Sequence, residues 1–179
     1  MVIGLFSIHR KQMLSNWQNS FELLLDSEGG FVIDRGGATN LGVTQTTWEM
    51  YVERPATIDE IKSLTLTDVE PLYKRLFWER CWCDKMPSGV DYFLFDWAVN
   101  HGAGGAILML QGIVGAKQDG GMGPLTFAAT IMHDPVQLIE DFDAVKVDYY
   151  KSLNDPVNEH GWLVRAACVK HQALNMVNQ

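Results

Sequence analysis

The sequence predicts an α+β fold, predominantly α-helical, with one small β-hairpin after the first helix. Three observations support this. Leu14, Trp17, Phe21, Leu24 and Leu25 recur at helical spacing, and Gly29 with Gly30 ends that run. The string EGGFVIDRGGATNLGVTQTTW, from Glu28 to Trp48, then sets two glycine pairs around a short strand-forming stretch. Beyond Trp48 the chain reads as apolar helical stripes separated by Thr, Gly, Asp and Pro punctuation.

Residues 31–34 and 39–43 read as the two strands, with Gly36 and Gly37 supplying the turn. Three helix starts follow, where Thr46 with Glu49, Thr57 with Glu60, and Thr67 with Glu70 have the spacing of a capping box. The third helix carries Val69, Leu72, Tyr73, Leu76 and Phe77 as a core stripe, which Trp78 continues into a short loop. Residues 89–100 are apolar nearly all round, as a central buried helix should be. After a break at 102–105, Ile107, Leu108, Leu110 and Ile113 mark another helix, closed by the turn 119–123 before Pro124. Asp134 and Pro135 open the next, with Leu138, Ile139, Phe142, Val145, Tyr149 and Tyr150 as its core face, and residues 162–177 form the last.

A chain of 179 residues with 47% hydrophobic content and six Trp is long enough for one compact unit. Its 14 basic and 22 acidic side chains leave a net charge of −8 with no basic stripe, which opposes a nucleic-acid or anionic-membrane partner. No stretch has the length a membrane span requires. The apolar run 1–8 precedes its basic residues, the reverse of a secretory signal. Cys81, Cys83 and Cys168 are odd in number, and the C-x-C spacing disfavours an unstrained disulfide, so free buried thiols are expected. With the five His scattered, neither a metal nor a cofactor is expected.

Glu28 is the residue with the clearest chemistry. It falls in the last turn of the first helix, facing the negative end of the dipole with Asp26 nearby, and both effects favour a protonated carboxyl. A general acid needs that state near neutral pH. Asp96 and Asn100, four residues apart in the buried helix, must either meet partners in a core network or line a wet cleft.

The set Glu28, Gly29, Gly30, Phe31, Asp34, Gly36, Gly37, Thr39, Gly42, Val43 and Thr44 resembles the N-acetylmuramidases of glycoside hydrolase family 108, mostly phage endolysins of Gram-negative hosts. Phe31 stands where Tyr is usual, and Arg35 alone links Asp34 to Gly36 in place of a longer loop. Further similarity runs through FDWAVNHG (95–102), Val114 with Gly115, DGGMGPLT (119–126) and HGWLVR (160–165), which resemble a helical peptidoglycan-binding half. The resemblance implies a lysozyme-like fold in which 13–100 form the catalytic half and 101–179 the wall-binding half.

It also implies hydrolysis of the β-1,4 bond between N-acetylmuramic acid and N-acetylglucosamine, with Glu28 as catalytic acid. Asp34, Thr39 and Thr44 then lie across a cleft from it, with Thr39 or Thr44 positioning water and inversion the expected outcome. Thr44 is equally suited to cap the following helix. Trp78, Asp96 and Asn100 are the candidate substrate contacts, although an aromatic at helical spacing is as readily core. A lytic transglycosylase or a non-catalytic wall-binding module are the alternatives. The expected partner is the peptidoglycan glycan strand, reached by a monomer made in the host cytoplasm and released to the periplasmic wall through a holin or another export route.

Overall fold

The computed structural model describes residues 16–26, 30–34 and 37–178. Helix α1 (16–26) buries Trp17, Phe21 and Leu24, the spacing expected of its apolar face, whereas Leu14 and Gly29 lie outside the described residues. The chain divides into two compact units, one of Gln18–Leu76 and one of Phe77–Gln179 joined by the start of α1.

In the first unit, β1 (Val32–Asp34), β2 (Gly37–Asn40) and β3 (Val43–Thr44) form an antiparallel sheet in the order β1-β2-β3. The single strand expected over 39–43 is in fact two. Leu41 (φ 50°) and Gly42 (φ 74°) both adopt positive φ, the requirement of a two-residue hairpin turn, so Val43 folds back opposite Asn40. The Tyr73 hydroxyl donates to the Leu41 carbonyl at 3.0 Å and pins this turn. Gly36 lies outside the described residues.

Three helices follow: α2 (Gln45–Val52), α3 (Ile58–Ser63) and α4 (Leu66–Tyr73). Thr57 caps α3 as expected, accepting from the Glu60 N–H. The other two starts come two residues early. Thr44 caps α2 by accepting from Thr47, and at α4 the Thr65 N–H and hydroxyl both donate to the Asp68 carboxylate. In each case the extended residue is the true cap, and Thr46 and Thr67 already lie inside the helix.

A wide π turn, Lys74–Trp78, extends α4. Because such a turn takes in an extra residue, the buried position slides along the stripe. Trp78 is fully buried while Leu76 and Phe77 are half-buried.

The second unit is helical: α5 (Val90–Ile113), α6 (Pro124–Ile131), α7 (Pro135–Ser152) and α8 (Glu159–Val177). Helix α5 carries the expected apolar segment and is kinked at Gly102 (φ 78°, ψ 148°), the only break between what the sequence reads as two helices. Trp17, Trp78 and Phe95 meet edge-on at 5.3–5.5 Å in its core. Gly89, ahead of α5, has no substitute, since a Cβ there would lie 2.2 Å from the Ala173 carbonyl of α8.

Pro124 and Pro135 occupy first helical turns, and Asp134 caps α7 by accepting from Gln137. The core face of α7 differs from the expected one at two positions: Val145 is 41% and Tyr149 39% exposed, and Lys146 is buried in their place. Cys81 and Cys83 are buried free thiols, and burial pushes the Cys83 thiol well above its ordinary range. Cys168 is exposed, contrary to the expectation of a buried thiol, because it lies on the outward side of α8. No helix among the described residues is long and apolar enough to cross a membrane.

Candidate active site

Glu28 lies outside the described residues, as does the side chain of Asp34, whose backbone pairs with Gly37 at the end of β1. What the sheet does fix is the pair of threonines. Thr39 of β2 stands directly opposite Thr44 of β3, and Val32 of β1 stands opposite Thr39 on the other side. Opposed residues share a face, with Cβ atoms about 4.5–5.5 Å apart. That face is the open one: Thr44 is exposed and Thr39 half-buried, whereas Ala38, Asn40 and Val43 on the other face are buried.

The Thr44 hydroxyl accepts from the Thr47 N–H at 3.2 Å and shares a 2.9 Å hydrogen bond with the Thr47 hydroxyl. It therefore has the capping role the sequence allowed. The hairpin is anchored from beneath by Asn40, which sequence reasoning missed. Its amide donates to the carbonyls of Ile61, Lys62 and Leu64 at 3.0–3.3 Å, satisfying the C-terminal end of α3.

The three expected substrate contacts, Trp78, Asp96 and Asn100, belong to the second unit. Trp78 has none of its surface open and donates its indole N–H to Asp84 at 2.7 Å. Asp96 is 1% exposed, and as placed neither residue presents an atom to a ligand. Asn100 is exposed and folds back to donate to the Asp96 carbonyl at 2.7 Å. Of the two readings of Asp96, the core network is the one the packing matches. Its carboxylate accepts from Lys146 Nζ at 2.6 Å and from Arg165 Nη2 at 2.9 Å.

Burial alone would raise the Asp96 carboxyl, but the Lys146 and Arg165 charges outweigh it and hold the group below the usual carboxylate range. The only hint of these partners was a Lys set within an apolar stripe and an Arg closing the string HGWLVR. Asp91, in the first turn of α5, is the opposite case. Burial pushes its carboxyl up to about 6 although the N–H groups of Asn16, Gly89 and Tyr92 all donate to it.

A separate cavity of about 430 Å³ opens beside the turn 119–123, lined by Lys117, Asp119, Gly121, Leu125 and Thr126 among others. Buried Gln111 shapes that turn. Its side-chain carbonyl accepts from the Asp119 and Gly120 N–H groups, and its amide donates to Asp119, Gly121 and Thr126.

A helix leading into a small antiparallel sheet, followed by a helical body around a buried central helix, is the lysozyme-like architecture of a glycoside hydrolase. The model of the family described as Glycosyl hydrolase 108 matches residues 21–102, from α1 through the sheet to the kink of α5. A solved structure titled "Structure of Brucella abortus SagA" is 30% identical, with a TM-score of 0.87 over 92% of this chain and 97% of that one. This chain belongs to glycoside hydrolase family 108. No curated protein matches it.

Proposed function

We propose that the protein is an N-acetylmuramidase of the endolysin type, cleaving the β-1,4 bond from N-acetylmuramic acid to N-acetylglucosamine in peptidoglycan. Glu28 protonates the leaving oxygen, the Thr39–Thr44 row holds the incoming water, and Asp34 assists through charge or geometry. The observation that carries this reading is the register that sets two threonines opposite one another on the open face of a sheet beginning four residues after Glu28, in a chain of a glycoside hydrolase family. Within the helical half, Asp96 and Lys146 fix Arg165. The helical half holds the wall, with the cavity beside 119–123 as its contact.

Incubating the purified protein with Gram-negative sacculi and identifying the new termini tests this. New reducing muramic acid is the expected product. Reducing glucosamine would make it a glucosaminidase, and an anhydro-muramic end without water addition a lytic transglycosylase. Glu28→Gln is expected to lower the rate by about 10²–10⁴-fold with the fold retained. Unchanged cleavage by that variant overturns the assignment, and a wild type that releases no fragments makes the protein a binding module.

A further inference from the structure

One cluster in the second unit is left without a task by the hydrolytic site. Trp97 lies flat against His101, with ring centroids 3.8 Å apart and planes at 13°. Tyr149 meets both rings edge-on, at 5.5 Å from Trp97 and 5.0 Å from His101. Tyr150 continues the array and stacks on Trp162 at 5.4 Å. Exposure is graded across it: Trp97 and Tyr150 are 2% and 4% exposed, Trp162 and His101 are half-buried, and Tyr149 is 39% exposed.

Arg165 follows Trp162 by one turn of α8 and its charge acts on the Tyr150 hydroxyl; it is held by Asp96, with 20% of its side chain open where Asp96 and Lys146 are closed. Burial, and then the Lys146 charge, lower the His101 imidazole, so its ring is neutral at neutral pH. The result is a set of rings already immobilised by one another, edged by a guanidinium whose orientation is fixed. A rigid aromatic platform with a few convergent polar groups has the make-up of a small-ligand site and loses little side-chain freedom on binding.

We propose that Tyr149, Trp162 and Arg165 form a subsite for an N-acetylated pyranose of the glycan, the sugar's apolar face stacking on the rings and Arg165 donating to its oxygens. This rests on the reading of the substrate as peptidoglycan. The α5 residues contribute through position: Asp96 sets Arg165, and Trp97 with His101 sets Tyr149. Two segments far apart in the chain, 95–102 and 160–165, are thereby joined in one cluster.

Titration with a soluble N-acetylglucosamine tetramer, read by tryptophan fluorescence, tests the subsite without requiring cleavage. Tyr149→Ala and Trp162→Ala are each expected to weaken tetramer binding by about fivefold or more. With sacculi the same variants raise KM with kcat unchanged, and Tyr149→Phe restores the wild-type KM. Tyr149 is exposed enough for its truncation to leave the fold intact, which circular dichroism checks. Wild-type tetramer affinity in both alanine variants, or a fall in kcat at constant KM, overturns the proposal. Absence of wall cleavage by the wild type would instead defeat the hydrolase reading, and the tetramer titration would still report on the subsite.

Discussion

Among the described residues of the sheet-bearing unit the charged side chains stay in water: Arg54 and Glu60 pair at 2.7 Å with 55% and 28% of their side chains exposed. In the helical unit Lys146 and Asp96 pair at 2.6 Å with 0% and 1% exposed. The first pair spans six residues and the second fifty. An exposed pair is screened and contributes little, whereas breaking a buried one strands a charge out of water. The sheet unit is therefore organised by backbone register and uncharged donors such as Asn40, and the helical unit by charges it could not keep unless each was answered.

Loss of Lys146 is the most damaging change this contrast predicts. Lys146→Ala leaves Asp96 with Arg165 alone and is expected to cost about 3–5 kcal/mol in urea unfolding. A double Lys146→Met, Asp96→Leu variant should recover most of that loss, because the two fully enclosed charges are then removed together.

One carboxyl from each unit, Asp91 and Glu60, is also expected to respond to pH with opposite sign. Asp91 has its folded carboxyl raised to about 6 from an ordinary 3.8, so its contribution is fully present below about pH 4 and is lost as pH rises through about 6. Compared with Asp91→Asn, the wild type should gain up to about 2–3 kcal/mol between pH 7 and pH 4. A pH-independent difference between the two would remove burial as the governing influence at that site.

Glu60 runs the other way. The hydrogen bond from Arg54, and then that from Trp48, lower its carboxyl to about 2, so its contribution is present above about pH 4.5 and lost as pH falls toward 2. Being open to water, it is expected to give the smallest effect: Glu60→Gln should barely move the melting temperature at pH 7 and converge with wild type in acid.

Much of this organisation was legible in local pattern. The core face of α1, the position of the sheet, the Thr57 cap, the buried character of α5 and the proline starts of α6 and α7 all follow from spacing and side-chain type. Where the reading slipped, a neighbour decided. The Leu41–Gly42 turn divides a strand with a residue that rarely takes positive φ, held there by Tyr73 from α4. At Trp78 a π turn shifted the buried position, and at Lys146 an apparently misplaced charge proved to be the partner of Asp96.

For the candidate site, Thr39 and Thr44 were visible as threonines near a glycine pair, but not as neighbours. A one-residue change in register would have placed them on opposite faces. The Asp96 carboxylate was visible as a group requiring partners, and which partners was not.

Local periodicity and backbone preference are properties of adjacent residues, so the amino-acid order alone determined the helices, the sheet's place after the first of them and the family the chain resembles. Partnership between residues fifty or more apart depends on packing, because an ion pair or a ring stack exists only once helices bring its members within a few ångströms. Tertiary structure alone therefore decided that Asp96 is enclosed by Lys146 and Arg165, that Thr39 faces Thr44, and that Tyr149 is left with a ring open to solvent.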